Sequence, residues 1–250
     1  MAIKGLELFR EKFKGYEDCY TVIGGAACSI LFSEEAYDFR ATKDIDMIIL
    51  LEDRYQEFAK LFWEFVREGG YRCGWKQSED LHFYRFTEPE NGYPEQIELF
   101  SRKPDYHLES DSQIIPIHID EDVQSLSAIL LNDDFYALMH RGRRVVNGIC
   151  VLDAAYLIPF KAYAWTDLLK KKEAGFHVNE KDLKKHKYDV FRLLQIINVT
   201  ERIRLSGLPL QAMMEFLSKV QKEHLRLEQI GLDFTMEEGL AGMKELYQIE

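Results

Sequence analysis

Hydrophobic residues follow two different spacings along this chain, and the change falls near residue 152. Up to that point, short apolar runs typical of strands alternate with helical stripes, and from there onward the spacing is helical. The segment Met47–Leu51 is apolar throughout, as expected of a strand that is buried on both faces. The pattern predicts an α+β (α/β-like) first domain over residues 1–152 and an all-helical second domain over residues 153–250.

Shorter patterns predict the individual elements. We expect Asp153 to cap the first helix of the second domain, with three or four more helices after it. The helix predicted over 55–68 carries an apolar stripe formed by Phe58, Leu61, Phe62 and Phe65. The other predicted elements are helices over Leu6–Phe13 and Ala26–Phe32, and strands over Tyr20–Ile23, His82–Thr87, Gln96–Phe100, Ile114–Ile119 and Leu126–Leu131.

Composition narrows the class of protein. No run approaches the roughly 18 apolar residues that a membrane span needs, and the first ten residues contain no signal-peptide core. We therefore expect a cytoplasmic protein that does not enter the membrane. The four cysteines and seven histidines lack the paired spacing of a disulfide framework or a zinc site, which favours buried apolar thiols.

The distribution of charge leaves two interpretations open. A net charge of −11 argues against broad, nonspecific adhesion to nucleic acid. The segment from Lys161 to Arg192 reverses this balance, with nine Lys and Arg residues against five Asp and Glu residues. Such a segment is either a solvated helix face or a surface for an anionic substrate.

Two aspartates, Asp44 and Asp46, stand at the start of the buried Met47–Leu51 run. Side chains two residues apart on a strand project to the same face, which places these carboxylates together. Their mutual repulsion is relieved when a cation lies between them. Mg²⁺ prefers carboxylate oxygens together with substrate phosphates, so the pair predicts a magnesium site.

A glycine pair and a further acid complete the candidate site. Gly24 and Gly25 lie between a predicted strand and a predicted helix, where bare backbone N–H groups can hold the phosphates of a nucleotide. Glu98, a lone acid in the strand Gln96–Phe100, is a candidate third carboxylate that would complete the metal shell and orient an attacking hydroxyl. The alternative is an outward-facing residue on an alternating strand.

These residues resemble the nucleotidyltransferase superfamily, in which a glycine pair precedes a D-x-D motif at a strand start and a third acid. The match is closer to the abortive-infection Eii-type toxin branch, whose block R-x-[ST]-x-D-[IL]-D is similar to Arg40-Ala41-Thr42-Lys43-Asp44-Ile45-Asp46. The resemblance implies a polymerase-β-like mixed sheet with helices, followed by a helical domain that completes the nucleotide and acceptor cleft. It also implies that Arg40 and Thr42 assist Gly24 and Gly25 in nucleotide binding.

The branch has two further elements, a lysine on the first helix after the catalytic domain and a basic helix that carries an aspartate. Lys161 and Asp189 match them, and the resemblance implies a catalytic role for both and a triphosphate contact for Lys161. The alternatives are a lysine that packs its stem and exposes its ammonium, and an aspartate in a surface pair with Lys185. His186 departs from the branch, which usually has an acid directly after the basic residue.

We therefore expect a Mg²⁺-dependent nucleotidyltransferase that moves a nucleoside monophosphate from an NTP, such as ATP, to a hydroxyl acceptor. The acceptor would be RNA, for example a tRNA end, or a small hydroxylated molecule. The branch further implies a toxin restrained by an antitoxin protein. The alternative functions are a catalytically degenerate module of the same fold that binds nucleotide or a protein partner, and an aspartate-rich phosphoesterase.

Overall fold

The computed structural model describes residues 3–50, 54–73, 85–101, 132–198, 200–223 and 225–250. These residues form an α+β protein with one mixed seven-stranded sheet, whose strands lie in the order β3-β4-β5-β2-β1-β7-β6. The chain divides into two compact units. The first unit comprises residues 1–131 and 143–152, and the second comprises residues 132–142 and 153–250.

The sheet belongs to the first unit, together with three helices among the residues that the structure describes there. The strands are β1 (Tyr20–Ile23), β2 (Asp44–Ile49), β3 (Arg72–Cys73), β4 (Arg85–Thr87), β5 (Gln96–Ser101), β6 (Arg143–Val146) and β7 (Ile149–Leu152). The helices are α1 (Leu6–Lys12), α2 (Gly24–Glu34) and α3 (Tyr55–Glu68). Strands β2 and β5 run parallel, as do β1 and β7, whereas β1 and β2 are antiparallel.

The interior of the first unit is aromatic on the side of α1 and α3. Phe58, Phe62 and Phe65 of α3 are buried, whereas Leu61 is half-buried. Their rings contact Phe13, whose centroid lies 5.3 Å from those of both Phe58 and Phe65. These contacts join α3 to the end of α1, and the Phe58 ring also stacks on Tyr20 of β1 with a centroid distance of 5.8 Å, which joins α3 to the sheet. Because residues 25–32 of α2 are all buried, that helix is also held in place. Its first turn is part of the candidate site described below.

The second unit contains five α-helices among its described residues. They are α4 (Asp133–Gly142), α5 (Ala154–Glu173), α6 (Glu180–Leu194), α7 (Gly207–Val220) and α8 (Met236–Tyr247), with a 3₁₀ turn at Leu227–Ile230. Asp153 caps α5, since its carboxylate accepts a hydrogen bond from the Ala154 N–H at 2.8 Å. The predicted cap is therefore confirmed. Helix α5 packs against α4, α6 and α7, which makes it the central helix of the unit.

The observed elements agree with most of the predicted ones. Strand β1 and helix α3 have the predicted bounds, but α2 begins at Gly24, and β2 begins at Asp44 and ends at Ile49. Helix α4 and the β6–β7 hairpin had no counterpart in the prediction. The predicted strands at 114–119 and 126–131, and residues 82–84, lie outside the described residues.

Two further sequence expectations bear on the kind of protein. Among the described helices, none is both long enough and apolar enough to cross a membrane. Cys19, Cys28 and Cys150 are buried, as predicted for apolar thiols. Burial raises the pKa of the Cys19 thiol to about 12.

Candidate active site

The glycine pair forms the first turn of α2, directly after the buried strand β1. Gly24 has a φ of +67°, a backbone conformation that residues other than glycine rarely adopt. A Cβ atom at this position would overlap Oδ2 of Asp46. The Asp46 carboxylate therefore lies against the start of α2, where the helix dipole favours negative charge. Gly24 is required both for its backbone conformation and for the space that Asp46 occupies.

Gly25 is enclosed by the two other residues of the sequence block. A Cβ atom here would lie 2.7 Å from the Thr42 hydroxyl oxygen and 3.5 Å from an Arg40 guanidinium nitrogen. The Arg40 guanidinium also lies over the Phe39 ring, 5.0 Å from its centroid. The structure thus brings Arg40, Thr42 and Asp46 together at the glycine pair. A guanidinium, a hydroxyl and a helix N-terminus are groups that bind phosphate oxygens.

The three predicted carboxylates lie on neighbouring strands. Asp46 pairs with Glu98 across β2 and β5, and with Ile23 across β2 and β1, immediately before Gly24. Asp44 lies two residues before Asp46 on β2, and both side chains are half-buried while Ile45 between them is buried. Asp44, Asp46 and Glu98 therefore share one face of the sheet.

Glu98 is held by two neighbours that sequence reasoning did not select. Its Oε1 accepts a hydrogen bond from the Gln96 side-chain amide at 2.8 Å and another from Nε of Arg85. Arg85 faces Glu98 in the antiparallel pair of β4 and β5. Strand alternation was a usable signal for both residues. Gln96 stands two residues before Glu98, and Arg85 alternates with the buried Phe86.

The residues present suit a magnesium ion in a particular way. Among the described residues, no three His, Cys, Asp or Glu side chains are grouped so as to hold a metal. Asp44 and Asp46 alone offer the carboxylate oxygens. Mg²⁺ commonly takes one or two protein carboxylates and completes its shell with water and substrate phosphates. Two aspartates near a glycine turn that could bind phosphate fit that mode of binding.

Lys161 and Asp189 lie in the second unit and form a buried ion pair. Lys161 is 3% exposed and Asp189 is fully buried, and Lys161 Nζ donates to Asp189 Oδ2 at 3.0 Å. Arg192 contacts the other carboxylate oxygen at 3.5 Å. Both sequence alternatives are wrong, because Lys161 does not expose its ammonium and Asp189 is not in a surface pair with Lys185. The catalytic roles implied by the resemblance stay predictions.

The basic segment over 161–192 is largely neutralised by acidic partners. Six of its nine cations form ion pairs: Lys161, Lys170, Lys171, Lys172, Lys187 and Arg192. Glu215 and Glu223, which lie outside the segment, supply two of these pairs. Within the described part of the chain, Lys181, Lys184 and Lys185 have no ion pair. This balance favours the interpretation of a solvated helix face over that of a surface for an anionic substrate.

Comparison with known proteins adds no relative. No model of a known protein family matches the chain, and no curated protein is similar to it.

Proposed function

We propose that this protein is a Mg²⁺-dependent nucleotidyltransferase that transfers a nucleoside monophosphate from an NTP to a hydroxyl acceptor. The observation that carries the proposal is the convergence of Asp46, Thr42 and Arg40 on the glycine pair at the start of α2. A carboxylate beside a phosphate-binding turn is an unfavourable combination for a phosphate ligand alone. It becomes favourable when the phosphate arrives with a divalent cation.

In this mechanism, separate residues bind the phosphates and activate the acceptor. The N–H groups of Gly24 and Gly25 and the Arg40 guanidinium bind the phosphates and hold the α-phosphorus in line with the acceptor. Glu98 orients the acceptor hydroxyl and accepts its proton as the oxygen attacks the α-phosphorus. The bond from the α-phosphorus to the bridging oxygen breaks at the same time, and pyrophosphate leaves.

Asp44 and Asp46 would hold the magnesium. When bound, the ion supplies positive charge that neutralises the phosphate oxygens and lowers the barrier to nucleophilic attack. Because Asp46 lies against the first turn of α2 and Asp44 shares its face of β2, the two would fix where that charge lies relative to the nucleotide. Most of the rate enhancement would come from this positioning and from electrostatic stabilisation.

The acceptor and the biological role follow from the resemblance. It supports RNA, a tRNA end in particular, or a small hydroxylated molecule as acceptor, and a toxin restrained by an antitoxin protein as the role in the cell. The ion pairs of the basic segment leave little uncompensated positive charge there for RNA. Of the two acceptor classes, the charge balance of the helical unit therefore favours the small molecule.

The direct test is transfer of label from each α-³²P-labelled NTP to a pool of tRNA and to hydroxylated small molecules, with Mg²⁺. We expect transfer from at least one NTP, and a loss of order a thousandfold in Asp44→Asn, since several kcal/mol of transition-state stabilisation would be removed. Asp233→Asn, an exposed aspartate of the helical unit, is the matched control and should retain full transfer. Unchanged turnover in Asp44→Asn would overturn the proposal.

A second candidate function is a catalytically degenerate module that binds nucleotide without transferring it. The observation in its favour is Glu98, whose Oε1 is occupied by Arg85 and Gln96. The two functions differ in outcome. The degenerate module would bind an NTP with Mg²⁺ but release no pyrophosphate with any acceptor, and Glu98→Gln would leave its nucleotide affinity unchanged.

A further inference from the structure

Glu98 lies between a cation on one side and an aspartate on the other. Across the sheet, Arg85 of β4, Glu98 of β5 and Asp46 of β2 form one row of directly paired residues. The next row, Thr87, Gln96 and Asp44, lies beside it. In this arrangement the positive charge of Arg85 is on the far side of Glu98 from the two aspartates.

The side chain of Glu98 contacts Arg85 and Gln96. Its Oε1 accepts from both Arg85 and Gln96, and its side chain is 19% exposed. It does not join Asp44 and Asp46 in a three-acid group within the described residues. Repulsion between carboxylates explains this orientation, because moving the Glu98 carboxylate toward Asp46 would bring two negative charges together.

A divalent cation bound at Asp44 and Asp46 would turn the repulsion of Glu98 on that side into attraction. Glu98 would then have a doubly charged partner on the Asp46 side and a singly charged, 56% exposed guanidinium on the other. An ion pair this exposed is weak, so it can be exchanged for a metal contact at small expense.

We propose that Arg85 is a positioning residue that competes with the divalent cation for Glu98, so that Glu98 joins the site only once the cation is bound. This inference rests on the proposed function, since it assumes a metal at Asp44 and Asp46. It assigns a role to Arg85, and it explains how a third carboxylate can stand beside two others before any cation arrives.

The test is titration of the protein with Mn²⁺, with free Mn²⁺ followed by electron paramagnetic resonance. Arg85→Gln should bind Mn²⁺ about two- to fivefold more tightly than the wild type, the effect of removing one exposed ion pair. Arg85→Lys, which keeps the charge, should restore most of the wild-type affinity. Arg72→Gln is the control, because Arg72 of the neighbouring strand β3 forms an exposed ion pair with Glu88 at 2.8 Å, and it should change nothing.

A double variant separates competition from simple charge. In a Glu98→Gln background, Arg85→Gln should no longer tighten Mn²⁺ binding, because the carboxylate for which the two cations compete is gone. Tightening that persists there would mean that Arg85 acts only as a distant charge, and would overturn the inference. Weaker or unchanged binding in Arg85→Gln would overturn it as well.

Failure of this inference and failure of the proposed function give different results. Mn²⁺ binding that is lost in Asp44→Asn/Asp46→Asn but unaffected by Arg85→Gln overturns the role of Arg85 and leaves the proposed function standing. Absence of Mn²⁺ binding in both the wild type and Arg85→Gln overturns both.

Discussion

At the scale of single residues, the first turn of α2 is the most constrained part of the candidate site. Gly24 combines a left-handed backbone with a side chain, Asp46, in the space that a Cβ would need. Either requirement alone would favour glycine. The two together tie the conformation of the proposed phosphate-binding turn to the position of Asp46, the proposed metal ligand, so a change at Gly24 acts on both.

Replacing Gly24 by alanine should therefore destabilise the protein more than the same replacement at a glycine whose only constraint is a positive φ. Gly15 provides the matched control, because its φ is +83° and nothing lies within 4 Å of an added Cβ. We expect Gly15→Ala to destabilise the protein by about 1–2 kcal/mol, and Gly24→Ala by about 3 kcal/mol or more with loss of Mg²⁺–NTP binding. Urea unfolding and nucleotide titration would check this. Equal destabilisation with intact nucleotide binding would refute the role given to Gly24.

Breaking the buried pair in the helical unit should destabilise the fold strongly, whether or not the pair serves catalysis, because it leaves a buried charge without its partner. Lys161→Met leaves the fully buried Asp189 with the 3.5 Å contact to Arg192, and we expect a loss of about 3–5 kcal/mol. Lys170→Met, on the same helix, breaks an exposed pair with Glu215 and should cost less than about 1 kcal/mol. Chemical denaturation compares the two. A loss below about 1 kcal/mol in Lys161→Met would show that the pair contributes little.

At the scale of elements, α8 begins with a capping box that adds a pH-dependent term to stability. The Thr235 hydroxyl accepts from the Glu238 N–H at 3.2 Å, and the Glu238 carboxylate accepts from the Thr235 N–H at 2.7 Å. This backbone hydrogen bond lowers the pKa of Glu238 below its ordinary value of 4.5. Because the folded pKa is the lower one, the carboxylate stabilises the fold above about pH 4.5, and the contribution is lost as the pH falls through the folded pKa.

Three variants test this account of α8. Glu238→Gln should remove that part of the pH dependence of the unfolding free energy below about pH 4.5, whereas Glu237→Gln, in the same turn but outside the box, should leave it in place. Thr235→Ala should destabilise the protein by about 1 kcal/mol at neutral pH, as loss of an N-cap usually does. Urea unfolding between pH 3 and 7 is the measurement. An identical pH profile in Glu238→Gln and the wild type would contradict the assignment.

At the scale of the whole molecule, elements whose side chains repeat at a clear period could be predicted from the sequence. Helix α3 has an aromatic stripe, and β1 ends at a glycine pair, so both were found at their true bounds. Helix α4 and the β6–β7 hairpin were missed. The hairpin did have a usable signal, because Asn147-Gly148 stands between Val145-Val146 and the apolar run Ile149–Leu152, and Asn-Gly with positive φ is a preferred two-residue hairpin turn. Only β6 lacks a clear strand pattern, since it opens with Arg143 and Arg144.

The candidate site divides in the same way. The shared face of Asp44 and Asp46 was predictable from their spacing of two residues on one strand. Glu98 lies on the same face because it pairs with Asp46 across β2 and β5. The contact between Arg85 and Glu98 was not predictable from alternation alone, because alternation gives the face of a side chain but not which strands are neighbours. Only the sheet order places Arg85 beside Glu98. Likewise, no local signal indicated that Asp189 would be fully buried opposite Lys161.

The most direct test of the central claim is isothermal calorimetry of the four NTPs with and without Mg²⁺, for the wild type and for Asp44→Asn/Asp46→Asn. A metal site beside a phosphate-binding turn predicts that at least one NTP binds only with Mg²⁺, and that the double variant, with an unchanged melting temperature, does not bind it. Mg²⁺-dependent binding of equal affinity in the double variant, or no binding of any NTP by the folded wild type, would contradict the account.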